Sequence, residues 1–283
     1  MIEVLAPGVL TLVEDSGRPG LAAVGVGRSG AADPAALRLG NRLVGNPPGA
    51  AALEVLLGGL ELHALRSGVV ALTGATGPAW VDDEPVPPQT ALRLPAGSRL
   101  RLGTVTHGLR AYVAVRGGVG VPTVLGSRSS DRLSGLGPAP LVAGDVLPVG
   151  HDTRGLPELD PAPQRTWPGV AVLPVLPGPR LDWFAGDALR VLTGEPYRVT
   201  PSSDRVALRL AGAALGRARH GELPSEGLVV GAVQVPPDGQ PVVFGPDHPV
   251  TGGYPVVAVL RADALSTAAQ LRPGDAVRFT LDH

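Results

Sequence analysis

The stretch GVGRSGAADPAALRLGNRLVG (residues 25–45) decides between two fold classes, because it begins with the G-x-G-x-x-G spacing of a dinucleotide-binding loop. In such a site the helix starts inside the glycine motif and points its N-terminus at the pyrophosphate. Here the sequence predicts a helix that starts later, with Asp33 as N-cap and Pro34 in the first turn, and runs to Val44. A dinucleotide site also has an acidic residue about 20 positions after the glycine motif. Glu54 lies at about that distance, but it begins a strand instead of ending one. We therefore expect a glycine-rich loop in a β-domain and not a Rossmann fold.

Short Val- and Leu-rich segments separated by turn residues make up most of the chain. Forty Gly and 31 Pro among 283 residues punctuate these segments, and dense, regular spacing of this kind is typical of β-sandwiches and barrels. Helices are predicted to be few, with two short ones expected in 180–190 and 261–271 in addition to the helix at Asp33.

A glycine turn between two short strands recurs in the sequence, at RLPAGSRLRLG (93–103), PLVAGDVLPVG (140–150) and QLRPGDAVRFT (270–280). The similarity of the first and last of these indicates two related β-domains. Residues 150–169 are rich in Pro and lack periodicity, which is typical of an interdomain connection. We expect an N-terminal domain over 1–160, with its linker reaching about residue 169, and a C-terminal domain over 170–283.

The composition excludes several kinds of chemistry. The chain has no Cys, and its 24 basic residues are all Arg, which rules out a catalytic thiolate, a Cys-ligated zinc, a Schiff-base or phosphate-loop Lys, and biotin carried on this chain. The net charge of −1 gives no basic face for nucleic acid or an anionic membrane. The six His lack paired spacing, so no metal site is expected. The N-terminal residues contain no basic leader or long apolar run, which predicts a cytoplasmic protein.

Three loops in the first half carry candidate binding residues. In EDSGRPG, Asp15 and Arg18 lie in a glycine turn where the guanidinium can clamp a carboxylate or phosphate; alternatively the two residues pair with each other or cap backbone groups. Ser29 can form an anion-binding nest with neighbouring amides. Ser127 and Asp131 lie in the glycine-led loop GSRSSD, where ordinary turn chemistry is the alternative.

The richest stretch of polar residues is 225–254. Gln234 interrupts an apolar strand, so its side chain either faces solvent or lines a pocket. The sequence predicts that it shares one polar cavity with Ser225, Glu226, Thr251 and Tyr254. The alternative for each of these residues is an ordinary place on a surface loop.

Several long motifs occur in the order found in a known family. They are EDSGRPGLAAVGVGRSGAADPAALRLGNRLVGN (14–46), TGA (73–75), GLRAYVAVRGGV (108–119), SSDRVALRLAG (202–212), SEGLVVGAVQVPPDGQPVVF (225–244) and TGGYPVVAVL (251–260). Together they resemble the KipA family, also called the 5-oxoprolinase C component or allophanate hydrolase subunit 2, a biotin-dependent carboxyltransferase family. The resemblance implies a mainly β protein of two cyclophilin-like β-barrel domains with a few short helices. The matching motifs add Asp204, Arg205, Gln240 and Asp247 to the expected substrate-binding residues, and no catalytic residue is assigned.

The resemblance also implies a function and partners. It predicts a subunit of a 5-oxoprolinase that opens 5-oxo-L-proline to L-glutamate with ATP, with or without Mg²⁺, and that is active only in complex with a KipI-like chain (allophanate hydrolase subunit 1 type) and a LamB/YcsF-type subunit. One alternative is carboxyl transfer in a urea carboxylase-like enzyme, with biotin carried on another protein. Another is a non-enzymatic regulator that antagonises a KipI-like kinase inhibitor.

Overall fold

The computed structural model describes residues 1–158, 160–219, 221 and 223–282. Its α-helices are α1 Pro34–Leu43, α2 Ala188–Gly194 and α3 Leu265–Ala268, and 3₁₀ turns cover Ala22–Val24 and Leu181–Trp183. Its strands are β1 Ile2–Pro7, β2 Leu10–Glu14, β3 Ala52–Leu56, β4 Leu60–Ala64, β5 Gly68–Thr76, β6 Ala79–Val81, β7 Glu84–Pro85, β8 Ala91–Leu94, β9 Arg99–Leu102, β10 His107–Val115, β11 Val146–Leu147, β12 Val170–Pro177, β13 Tyr197–Val199, β14 Ala207–Ala211, β15 Glu226–Gly227, β16 Ala232–Gln234, β17 Val242–Phe244, β18 Thr251–Gly252, β19 Val256–Leu260 and β20 Ala276–Leu281.

The first compact unit comprises residues 1–18, 29–131 and 135–166. Its strands form two sheets, in the orders β11-β1-β4-β9-β6-β7 and β2-β3-β10-β5-β8. Alternation along the strands builds a shared core: in β4, Leu60, Leu62 and Ala64 are buried, and the residues between them are partly exposed.

Helix α1 packs against the second of these sheets. Asp33 caps it as predicted, because its carboxylate Oδ1 accepts a hydrogen bond from the Ala36 N–H at 2.9 Å. Gly40 allows the close approach, since an added Cβ would lie 3.0 Å from Ala114 Cβ and 3.1 Å from Thr73 Oγ1. The loop between β2 and β3 thereby acquires a fixed geometry on the sheet.

The second compact unit comprises residues 19–28, 132–134 and 167–283, of which His220, Glu222 and His283 lie outside the described residues. Its main element is a closed barrel in the order β12-β19-β16-β17-β14-β13-β20, closed by the parallel pairing of β20 with β12. Tyr197 and Phe279 meet edge to face in the barrel core, with ring centroids 5.8 Å apart. Burial raises the pKa of Tyr197 to about 12.

The mainly β class is confirmed, and the G-x-G-x-x-G stretch does not open a helix. Gly25 ends a 3₁₀ turn at φ +81°, nine residues before α1 begins at Pro34. The predicted helix at 261–271 is shorter than expected, because regular helix covers only Leu265–Ala268. Within the described ranges, no helix is long and apolar enough to cross a bilayer.

The two units differ from the predicted domains, 1–160 and 170–283, in two short segments. Residues 19–28 and 132–134 precede the predicted boundary in sequence but are grouped with the second unit. Both segments lie in the glycine-rich loops that contain candidate binding residues, where no strand pairing ties the chain to the first unit. The predicted linker region contains the point where the main chain passes from one unit to the other, between Thr166 and Trp167.

We expect Asp33→Ala to lower the free energy of unfolding by about 1–3 kcal/mol, because it removes the cap of α1 and the partner of Arg165 at 3.1 Å. Urea unfolding followed by tryptophan fluorescence measures the change. Asp152→Ala is the matched control, since Asp152 is exposed and lies outside helices and strands, so its substitution should change stability by less than about 0.5 kcal/mol. Equal effects of the two substitutions would contradict the role given to Asp33.

Candidate functional site

The carboxylate of Asp15 organises a polar loop cluster in the first unit. Its Oδ1 accepts from the hydroxyls of Ser127 and Ser129, both at 2.6 Å, and from the Gly17 N–H at 2.8 Å. Its Oδ2 accepts from the Arg128 N–H at 2.7 Å. Four donors satisfy this buried carboxylate and tie residues 15–17 to residues 127–129.

Arg18 lies in the same cluster, but its side chain is 2% exposed. Its Nη2 donates to the Ser129 carbonyl at 2.6 Å, and its Nε donates to the Val124 carbonyl at 3.3 Å. The guanidinium thus caps backbone groups, the alternative role that the sequence allowed, and in this structure it holds the 124–129 loop. Clamping of a ligand by Arg18 stays a prediction.

Ser29 and Asp131 lie beside this cluster. Ser29 has φ +51° and donates its hydroxyl to the Ser130 carbonyl at 2.9 Å. Asp131 is 5% exposed and sits in a tight turn, in which its carbonyl accepts from the Gly135 N–H at 3.0 Å. The sequence therefore located these loops and included Ser129 among their polar residues, but not its contacts with both Asp15 and Arg18.

A second buried network supports the loop that leads into α1. Glu54 Oε2 accepts from the Tyr112 hydroxyl at 2.6 Å and from the Ala32 N–H at 2.9 Å, and its Oε1 lies 3.2 Å from Arg110 Nε. Burial, followed by the Glu54 and Asp33 carboxylates, raises the pKa of Tyr112 well above its ordinary value. Tyr112 therefore stays a neutral donor to Glu54 and accepts from the Asp33 N–H at 2.8 Å.

In the second unit, the structure brings together most of the residues predicted in 225–254. Strands β15 and β18 pair with Glu226 opposite Gly252. The amide of Gln234, 4% exposed, reaches across from β16 and donates to the Tyr254 carbonyl at 2.7 Å. This contact fixes the turn that carries Gly253 and Tyr254.

The side chains around that turn differ in what they offer a ligand. Ser225 and Thr251 are exposed, and the Tyr254 side chain is 45% exposed with its ring 5.8 Å from the Arg217 guanidinium. The Glu226 carboxylate is held by two hydrogen bonds from Arg180, a residue that sequence reasoning missed because it lies far away in the chain. We call Ser225, Glu226, Gln234, Thr251 and Tyr254, together with Arg180, the Gln234 cluster. Next to the paired strands β15 and β18 it contains hydroxyls, a ring and a charge pair, which are groups that can hydrogen-bond to a small polar molecule.

Arg205 and Asp247 form a buried bidentate ion pair elsewhere in this unit. Their N–O distances are 2.8 and 3.1 Å, and their side chains are 4% and 0% exposed. Removing one partner of such a pair leaves a buried charge and costs about 3–5 kcal/mol. Arg205 and Asp247 therefore have a structural role in this pair. Contact of either residue with a substrate stays a prediction.

Asp204 and Gln240 stabilise turns. Asp204 accepts from the N–H groups of Val206 and Ala207 at 2.8 and 3.0 Å, and Gln240 exchanges two hydrogen bonds with the Gly212 backbone. The structure does not bring these two side chains into the Gln234 cluster. Across the described part of the chain, no three His, Cys, Asp or Glu side chains converge where they could hold a metal ion.

The family described as "Carboxyltransferase domain, subdomain A and B" matches residues 24–281. The chain belongs to this family. The predicted membership, inferred from motifs in the loops described above, is confirmed. The similarity extends through both compact units and includes every loop that carries a candidate residue after position 24.

Named relatives in this carboxyltransferase-domain family are of two kinds. The chain is 39% identical to the C component of 5-oxoprolinase from Escherichia coli K12, over 99% of this chain and 90% of that protein. It superposes on the crystal structure of TTHA0988 with a TM-score of 0.87 at 40% identity, covering 99% of this chain but only 55% of that one. It also superposes on Kluyveromyces lactis urea amidolyase with a TM-score of 0.95 at 30% identity, covering 19% of that chain. The chain thus spans about half or less of the solved structures that it matches.

We expect Gly252→Ala to disturb the Gln234 cluster, because a Cβ at this position would lie 2.6 Å from Gln234 Nε2. The clash should break the bond to the Tyr254 carbonyl and lower the free energy of unfolding by about 1–3 kcal/mol. Gly253→Ala is the matched control, since its nearest neighbour, the Leu223 carbonyl oxygen, is 3.5 Å away. Urea unfolding and amide hydrogen exchange of residues 251–254 compare the two variants, and indistinguishable results would contradict this packing.

Proposed function

We propose that the chain is the carboxyltransferase-domain subunit of a 5-oxoprolinase, which opens 5-oxo-L-proline to L-glutamate with hydrolysis of ATP. One observation carries the proposal: the chain is 39% identical to a 5-oxoprolinase C component over nearly the full length of both proteins. A second relative of the same name, from Haemophilus influenzae, is 34% identical over 99% of this chain.

The chemistry explains why such a protein works in a complex. The lactam of 5-oxoproline is an unactivated amide, and phosphoryl transfer to its oxygen makes the ring carbon susceptible to water. This chain has no Lys, so the phosphate charge of ATP would be met by Arg, by backbone amides, by a metal ion or by a partner chain. We propose that ATP binds within the complex of this chain and its partners.

For this chain we propose a binding and orienting role. The Gln234 cluster contributes exposed hydroxyls and the ring of Tyr254, and the Arg180–Glu226 pair places one positive and one negative group beside them. Arginine is the basic residue available here to meet the substrate carboxylate, and a charge-assisted hydrogen bond suits that task. Precise orientation of the lactam lowers the entropic part of the barrier.

The partners are proposed on the same grounds. We propose a KipI-like chain and a LamB/YcsF-type subunit as partners in the cytoplasm. The length of the TTHA0988 chain, of which this chain spans 55%, supports the view that relatives act with further polypeptide. A permanent interface of this kind should bury at least about 1,200 Å².

Carboxyl transfer is the second candidate function, favoured by the family description and by the urea amidolyase relatives. In that case biotin would have to arrive on another protein, because this chain has no Lys to carry it. The amide substrate would then accept a carboxyl group from biotin instead of being hydrolysed.

We expect the isolated chain to be inactive, and the co-purified complex to release glutamate from 5-oxoproline only with ATP. Gln234→Ala combined with Tyr254→Ala should lower kcat/KM by on the order of 10²-fold, because oriented contacts in the transition state are lost. Glutamate release coupled to ADP formation measures this, and Gln164→Ala at an exposed position is the control. ATP-independent turnover, or biotin-dependent carboxylation of urea by the complex, would overturn the assignment.

A further inference from the structure

The second unit contains a pocket beside the turn that joins β16 to β17. One wall is the segment 214–217, which follows β14, and the other is the turn at 237–239. The pocket is partly open to solvent and has a volume of about 420 Å³, which is enough for a small organic molecule. Among the described residues that line it, none was predicted to bind substrate.

Hydrogen bonds hold the two walls of this pocket together. The Leu215 N–H donates to the Gly239 carbonyl at 3.0 Å, and the Gly212 N–H donates to Gln240 Oε1 at 2.9 Å. Gly239 has φ +77°, and an added Cβ there would lie 3.0 Å from Ala214 Cβ. The left-handed backbone and the close approach both favour glycine at this position. The shape of the pocket is therefore set by the fold of the second unit.

Arg217 brings a positive charge to the pocket and is half-buried. Its Nη2 donates to the Val235 carbonyl at 2.7 Å, and its Nε is hidden from solvent without a hydrogen-bond partner among the described residues. In the part of the chain that the structure describes, no carboxylate pairs with Arg217. A guanidinium that has lost part of its hydration in this way gains free energy when an anion binds to it.

Arg180 and Arg217 both adjoin the Gln234 cluster but differ in what surrounds their charge. Arg180 donates two hydrogen bonds to the Glu226 carboxylate, so its charge is matched within the unit. The Arg217 guanidinium lies 5.8 Å from the centre of the Tyr254 ring, which attracts a cation but carries no negative charge. Of the two arginines, Arg217 is therefore the one whose charge a ligand can match.

We propose that this pocket binds a small monocarboxylate, whose carboxylate accepts hydrogen bonds from Arg217. A planar guanidinium and a planar carboxylate match in geometry and charge. Asp238, in the other wall, is exposed and accepts from the Gln240 N–H at 3.0 Å. Its negative charge repels a second negative group, which disfavours phosphates and dicarboxylates. The inference rests on the proposed function for its natural ligand, L-5-oxoproline, which carries one carboxylate on a lactam ring.

The binding experiment compares L-5-oxoproline with 2-pyrrolidinone, which has the same ring but no carboxylate. Each is titrated into the ¹⁵N-labelled full chain at neutral pH, and NMR follows the amide signals of Leu215, Gly216 and Gly239 and the Nε–H of Arg217. We expect L-5-oxoproline to bind with a Kd on the order of 1 mM and about tenfold more tightly than 2-pyrrolidinone, because only the acid offers a negative charge to Arg217. Inorganic phosphate should bind more weakly than L-5-oxoproline.

Substitution of Arg217 tests the contact itself. Arg217→Met removes the charge and keeps an unbranched side chain, so it should abolish the preference for L-5-oxoproline over 2-pyrrolidinone. Arg219→Met is the matched control, because it removes the same charge from the same segment at an exposed position paired with Asp182, and it should leave the preference unchanged. Arg217→Lys keeps the charge and should retain part of the preference. If Arg217→Met fails to fold, Arg217→Lys and the ligand comparison on the unaltered chain still decide.

Several results would refute the assignment of the pocket to a monocarboxylate. They are equal binding of the two ring compounds by the unaltered chain, tighter binding of inorganic phosphate, and the absence of shifts in these signals at tens of millimolar L-5-oxoproline. Turnover by the complex separates this inference from the proposed function. If the complex releases glutamate with ATP and Arg217→Met does not raise KM for 5-oxoproline, only the pocket assignment fails. If the pocket binds L-5-oxoproline but the complex releases no glutamate, only the proposed function fails.

Discussion

The buried carboxylate of Glu54 is the constraint on which the first unit depends. It receives the Tyr112 hydroxyl from β10 and the Ala32 N–H from the loop before α1, and it pairs with Arg110. A charge buried this deeply is tolerated only when its hydrogen bonds are complete. Completing them fixes the loop over β3, sets the start of α1, and so determines where Ser29 and its neighbours stand relative to Asp15.

The same principle shapes both loop clusters. The Asp15 carboxylate accepts four hydrogen bonds, and the Gln234 side-chain amide donates one to the Tyr254 carbonyl. In each case a buried polar side chain holds a segment that has little regular secondary structure of its own. The residues that look most like ligand-binding groups in the sequence are thus in part the groups that keep the binding loops in place.

Local chemistry predicted much of the fold. Asp33 and Pro34 define the start of α1, and the glycine turns correctly indicated a mainly β chain. The order of strands could not be predicted, because β20 pairs with β12 and β13, which are far from it in the chain. The helix predicted at 261–271 was too long, since its small and polar residues give little apolar surface to bury beyond Leu265 and Leu271.

For the candidate site, the sequence predicted which loops carry the polar residues, but it did not predict what each side chain does in them. Arg18 was predicted to clamp a ligand, but in the structure its side chain is buried and donates to two backbone carbonyls. A local sequence pattern reveals neither the burial nor the carbonyl partners. Arg180 was missed because its partner Glu226 lies 46 positions away. Ser129 was among the polar residues of the GSRSSD loop, but its bond to Asp15, 114 positions away, could not be predicted.

The parallel closure of the barrel by β20 has a consequence for biosynthesis. During translation, β12 emerges about a hundred residues before the strand that must lie between it and β13. Until β20 leaves the ribosome, β12 and β13 both present open edges with unpaired N–H and C=O groups, which is the state most exposed to pairing with another nascent chain. The first unit has no such dependence on residues after 166. It can therefore complete its sheets first, while the second unit is the part of the chain that would need shielding by a chaperone.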